Sequence, residues 1–69
     1  MFALINTFHG DQYNYGIVIS RHRTEDTAHR AATSHARAVE RANGRGSYVP
    51  TMVVEIDKSI KVGDYVPRD

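Results

Sequence analysis

Along this chain the apolar positions shift from a two-residue period to a helical one and back again. Over residues 2–8, Phe2, Leu4, Asn6 and Phe8 alternate with Ala3, Ile5 and Thr7, as the two sides of a strand do. His9-Gly10-Asp11-Gln12 reads as a turn. A second strand over residues 13–20 follows, rich in Tyr, Ile and Val, and the simplest pairing is an antiparallel hairpin.

Residues 24–46 read as one helix with two opposed faces. Ala28, Ala32, His35, Val39 and Ala42 recur at spacings of four and three and form a small-residue stripe suited to close packing on a sheet. Arg30, Ser34, Arg37 and Arg41 lie about 200° away, at roughly 100° per residue. Thr24 is a suitable N-cap, because its hydroxyl accepts from an early backbone N–H that has no helical partner. Glu25 and Asp26 fall in the first turn, where the helix dipole favours anions. Asp26 also reaches Arg30 at i,i+4. Arg41 suits the last turn, and Asn43-Gly44 supplies a left-handed stop.

A third strand is expected over residues 47–56 with Met52-Val53-Val54 at its centre. Pro50 belongs at its start or at a sheet edge, since proline cannot donate to a ladder. Asp57-Lys58-Ser59 turns the chain. Residues 60–66 then offer an optional fourth strand, broken at Gly63-Asp64 and ended by Pro67. The order β-β-α-β, with a possible last strand, predicts a two-layer α+β domain: one helix on a small, mainly antiparallel sheet. Phe2, Phe8, Tyr13 and Tyr15 lie on the hairpin strands. They either line an open second sheet face, or pack under the tail or at a homodimer interface, and the packed arrangement is favoured.

Length makes this one domain, residues 1–69, with a thin core. A chain of this size buries only about 60% of its unfolded surface. It has no cysteine, so tight packing or oligomerisation must supply what disulfides or thiolate metal sites would otherwise add. The start carries no signal-peptide pattern, and no apolar run approaches the ~20 residues of a membrane helix. A cytoplasmic protein without a membrane partner is the expectation.

The net charge is +1, unevenly spread: residues 21–45 hold six arginines against Glu25, Asp26 and Glu40. Such asymmetry favours an oriented partner. Arg30, Arg37 and Arg41 on the helix, Arg21 and Arg23 before it, and Arg45 after it are candidates to bracket phosphates or carboxylates, because a guanidinium makes bidentate contacts with both. Tyr48 adds a ring able to anchor in a protein pocket or stack on a base.

Catalytic constellations are absent from the pattern. His22, His29 and His35 are spaced by seven and six, which does not align them on one helix face. Glu55 and Lys58 at the end of the third strand are three apart, so they fall on opposite faces instead of sharing a metal-dependent nuclease site. Gly44-Arg45-Gly46-Ser47 follows a helix, whereas a phosphate loop precedes one. No Gly-x-Ser-x-Gly elbow surrounds any serine. The chain reads as a binding protein without enzymatic activity, metal or cofactor.

The run from Glu40-Arg41-Ala42-Asn43 through Gly44-Arg45-Gly46-Ser47 to Tyr48-Val49-Pro50-Thr51, after Ile17-Val18-Ile19-Ser20-Arg21-His22-Arg23-Thr24, resembles short accessory proteins of proteobacterial phages and mobile elements, of the anti-CRISPR type acting on type I systems. The resemblance implies a stoichiometric inhibitor that binds an RNA-guided effector in the host cytoplasm and blocks target-DNA binding or nuclease recruitment. It carries over no site residue, because such proteins share size more than fold. The basic face departs from acidic DNA mimicry and suits an acidic protein patch or a site beside the guide RNA. The expected partner is thus a host protein or ribonucleoprotein complex. The alternative is a small DNA- or RNA-binding module that places the same arginines on phosphates.

Overall fold

The computed structural model describes residues 1–68. It contains β1 (Phe2–Asn6), a 3-10 turn (Thr7–His9), β2 (Asn14–His22), α1 (Glu25–Asn43), β3 (Thr51–Glu55) and β4 (Tyr65–Pro67). The four strands form one antiparallel sheet in the order β3-β1-β2-β4. This is the α+β class expected, and the optional fourth strand is present.

That strand order explains how both faces of the sheet are covered. β2 and β3 lie on either side of β1, so the connection between them, α1, crosses the sheet over one face. β3 and β4 are the two edges, so residues 57–64 strap across toward the far side. Ala3, Ile5, Val18, Ile56 and Val66 form a single buried cluster, with Met1, Tyr15, Val54 and Ile60 packed against it. Ile56, Ile60 and Val66 come from the strap and its ends, so this cluster belongs to the strap face. Leu4 alternates to the other side, where α1 packs, and both Leu4 and Ala28 are fully buried outside the cluster. The second face is therefore closed by the chain's own tail. Tyr15 packs there, whereas Phe8 and Tyr13 are exposed.

Local chemistry moves several boundaries from those expected. β1 stops at Asn6, not Phe8, because the Asn6 side chain accepts from the Phe8 N–H at 2.9 Å and turns the backbone. β2 runs on to His22 and carries an irregularity opposite Leu4 and Ile5, which leaves Ile19 without a facing residue. A second irregularity lies between Asn14 and Gly16. Gly16 has φ +153°, and a Cβ there would overlap the Asn6 carbonyl, so only glycine lets β1 and β2 approach so closely. β3 is shorter than the expected 47–56. Pro50 precedes it, and its carbonyl accepts from the Thr7 N–H at 2.9 Å.

Helix α1 is capped by the residues expected at each end, Thr24 and Gly44, but is shorter than the expected 24–46. Thr24 Oγ1 accepts from the Thr27 N–H at 3.2 Å. Gly44 has φ +101° and donates its N–H to the Glu40 carbonyl at 2.8 Å, so residues 44–46 lie beyond the helix. Its 19 residues span about 28 Å, against roughly 17 Å for a five-residue strand. Burial accordingly fades along it. Ala28 is buried, Ala32, His35 and Val39 are half-buried, and Ala42, expected on the packed stripe, is exposed. Residues 40–43, the last turn, are all exposed. No helix among the described residues is long and apolar enough to cross a membrane.

Candidate functional site

The outer face of α1 carries the arginines that the helical period placed together. Arg30, Ser34, Arg37 and Arg41 are all exposed. They are not electrostatically equivalent. Arg30 Nη2 lies 3.4 Å from Asp26 Oδ2, and His29 Nε2 lies 3.8 Å from Glu25 Oε1. Both contacts are solvent-exposed and contribute little to stability, but the Asp26 carboxylate offsets the charge of Arg30. Arg37 and Arg41, one turn apart, have no ion-pair partner among the described residues. Together with Ser34 and Glu40 they line a shallow depression on the helix surface.

Beyond the helix the chain stays on the surface. Ser47 Oγ donates to the Asn43 carbonyl at 3.1 Å, and the Ser47 N–H donates to the Gly44 carbonyl at 3.2 Å. These bonds hold a turn on which Arg45 is exposed between Gly44 and Gly46, both at positive φ. Tyr48 follows with 78% of its surface exposed.

Arg21 does not join this face. It pairs with Ala3 in the sheet register, on the strap side, and its Nη2 donates to the Lys58 carbonyl at 2.8 Å. Its Nε is buried without a partner. Arg21 therefore pins the strap to the sheet. Arg23 is exposed at the β2–α1 junction, near the helix start and far along the helix from Arg41.

Two arrangements were not foreseen from the residues alone. Ser20 Oγ and His22 Nε2 lie 2.7 Å apart, part-buried. Their i,i+2 spacing on a strand, which places both on one face, was the available signal. Among the described residues no ion pair joins His22. On the strap face, an open groove is lined by Tyr15, Met52, Val54, Ile60, Val66 and Pro67. Its lining is mainly apolar, and Glu55 and Asp57 are its charged members. No group of three or more His, Asp or Glu is placed to hold a metal among the described residues.

No family model, curated protein or solved structure matches the chain.

Proposed function

We propose that this chain is a non-enzymatic inhibitor that docks the outer face of α1 onto a host nucleic-acid-processing complex. On the resemblance drawn from its sequence, that complex is a type I CRISPR effector in the host cytoplasm, blocked in target-DNA binding or nuclease recruitment. The observation that carries the reading is the pair Arg37 and Arg41, exposed on the outer face of the helix and without an ion-pair partner among the described residues. Glu40 shares their depression. A carboxylate beside these guanidiniums repels a phosphate but suits a protein surface that offers both acids and donors. The net charge of only +1 favours a protein patch for the same reason. Arg30, Arg45, Tyr48 and Arg23 extend the contact.

The test is binding of purified type I effector complex to the wild-type chain and to the double variant Arg37→Glu, Arg41→Glu. The reading expects the variant to keep its circular dichroism spectrum and lose affinity by roughly 100-fold or more, as for charged contacts at an interface. Unchanged affinity in a folded variant refutes the assignment of the face. In parallel, labelled duplex DNA and single-stranded RNA are titrated at low and physiological salt. Tight binding that falls steeply with salt would favour the nucleic-acid module instead.

A further inference from the structure

The two edges of the sheet are built differently. β4 has three residues and ends in Pro67, a short edge of the kind that resists further pairing. β3 is Thr51-Met52-Val53-Val54-Glu55. It holds no lysine, no internal proline and no bulge in its pairing with β1, and three of its five residues are β-branched.

The backbone of β3 shows which groups are left over. The Ile56 N–H donates to the Met1 carbonyl at 2.8 Å, and the Pro50 carbonyl accepts from Thr7 at 2.9 Å. In an antiparallel ladder every second residue turns its N–H and C=O to the same neighbour. Met52 and Val54 therefore face β1 with Pro50 and Ile56. Thr51, Val53 and Glu55 direct theirs to the open edge, and no hydrogen bond from a described residue reaches them.

We propose that this edge pairs with the same edge of a second copy of the chain, antiparallel about a two-fold axis at Val53. The register is self-complementary. Val53 faces Val53 and exchanges both backbone bonds with it, while Thr51 and Glu55 do the same with each other's counterparts. On the strap side, Met52 of each copy, 45% exposed in the single chain, lies across from Val54 of the other. The apolar grooves beside them are thereby joined. On the helix side, Glu55 meets a threonine hydroxyl instead of a like charge, which would be unfavourable directly across a strand pair. The axis runs perpendicular to the sheet, so both helices stay on one side. The result is a closed isologous dimer that consumes the bare edge of a domain with seven buried apolar side chains among the described residues. This pairing stands independently of the function proposed for the helix face.

Sedimentation equilibrium of the full chain, taken to millimolar concentration, is expected to give twice the 7.8 kDa chain mass. Val53→Pro removes an N–H that the single chain does not use, and is expected to give a folded protein of one chain mass. Oxidative cross-linking tests the register without relying on that variant's folding. Val53 opposes itself at about 5.5 Å between Cα atoms, within disulfide range, and the chain has no cysteine of its own. Val53→Cys should give a covalent dimer at least 10-fold faster than Met52→Cys, whose opposite residue is Val54. A single-chain mass throughout, a dimer retained by folded Val53→Pro, or equal cross-linking of the two cysteine variants would each overturn the proposal.

Discussion

The Arg68 guanidinium lies 4.6 Å from the centre of the Tyr15 ring. Arg68 also donates its Nε–H to the Asp11 carbonyl at 2.8 Å and its backbone N–H to the Tyr13 carbonyl at 2.7 Å. Tyr15 packs against the strap-face cluster. The C-terminal part of the chain is thus fastened at two points, by Arg21 on Lys58 in the strap and by Arg68, just beyond β4, on the Asp11 and Tyr13 carbonyls before β2. Arg68→Ala is expected to lower stability by about 1 kcal/mol, from one cation–π contact and one side-chain hydrogen bond. A double-mutant cycle with Tyr15→Leu, read by urea unfolding, should return a coupling of about 0.5–1 kcal/mol. Zero coupling would assign the whole effect to the carbonyl bond.

Gly16 and Gly44 both have positive φ, yet their surroundings differ. A Cβ at Gly16 meets the Asn6 backbone, whereas one at Gly44 meets nothing within 4 Å. Gly44→Ala therefore carries conformational strain alone, about 1–2 kcal/mol. Gly16→Ala adds a clash with backbone that cannot move without separating β1 from β2, and is expected to cost at least about 3 kcal/mol in all. Thermal or urea unfolding of the two variants gives the ranking. Equal losses would mean that the hairpin yields at Asn6.

The position of α1 over the sheet makes a similar contrast between Ala28 and Ala42. Ala28 is wholly buried and Ala42 is exposed. Ala28→Leu should destabilise by at least about 1–3 kcal/mol through overpacking. Ala42→Leu should fall within about 0.5 kcal/mol of the parent, as surface changes usually do. The reverse ranking would place the C-terminal half of the helix, with Arg37 and Arg41, against the sheet.

What was legible in the residues was mostly what neighbours in sequence decide. The helix limits follow from the Thr24 hydroxyl, the early acids and Gly44, and all three act within one turn. The arginine stripe follows from helical period alone. Strand order was not legible, because nothing local says which edge residues 60–66 will reach, and so the closing of the second face by the strap was only one of several arrangements. Alternation through Asn6 and Phe8 concealed the Asn6 cap that ends β1. The fate of Arg21 was hidden for a longer-range reason. The irregularity at Ile19 changes which side of the sheet the following residues face, and only that register puts Arg21 against the strap and apart from the helix arginines.

Two aspartates predict how the fold responds to acid. Asp11 Oδ1 accepts from the Tyr13 and Asn14 N–H groups at 2.7 and 2.9 Å, and those bonds, Tyr13 foremost, hold its carboxyl below the usual aspartate value. Asp57 Oδ1 accepts from Ser59 at 2.9 Å, which lowers its carboxyl in the same way. A folded-state pKa below the unfolded one means that the unfolded chain takes up protons first as pH falls. The stabilisation is therefore fully present above the unfolded aspartate value, about 4, and is lost as pH drops from there through the lower folded values. Asn in place of Asp retains an acceptor oxygen but no charge to titrate. The double variant Asp11→Asn, Asp57→Asn should start from a lower urea midpoint at pH 6 and lose less of it than the parent between pH 5 and pH 3. An identical acid loss in parent and variant would show that other carboxylates set the response and that these two turns do not report on folding.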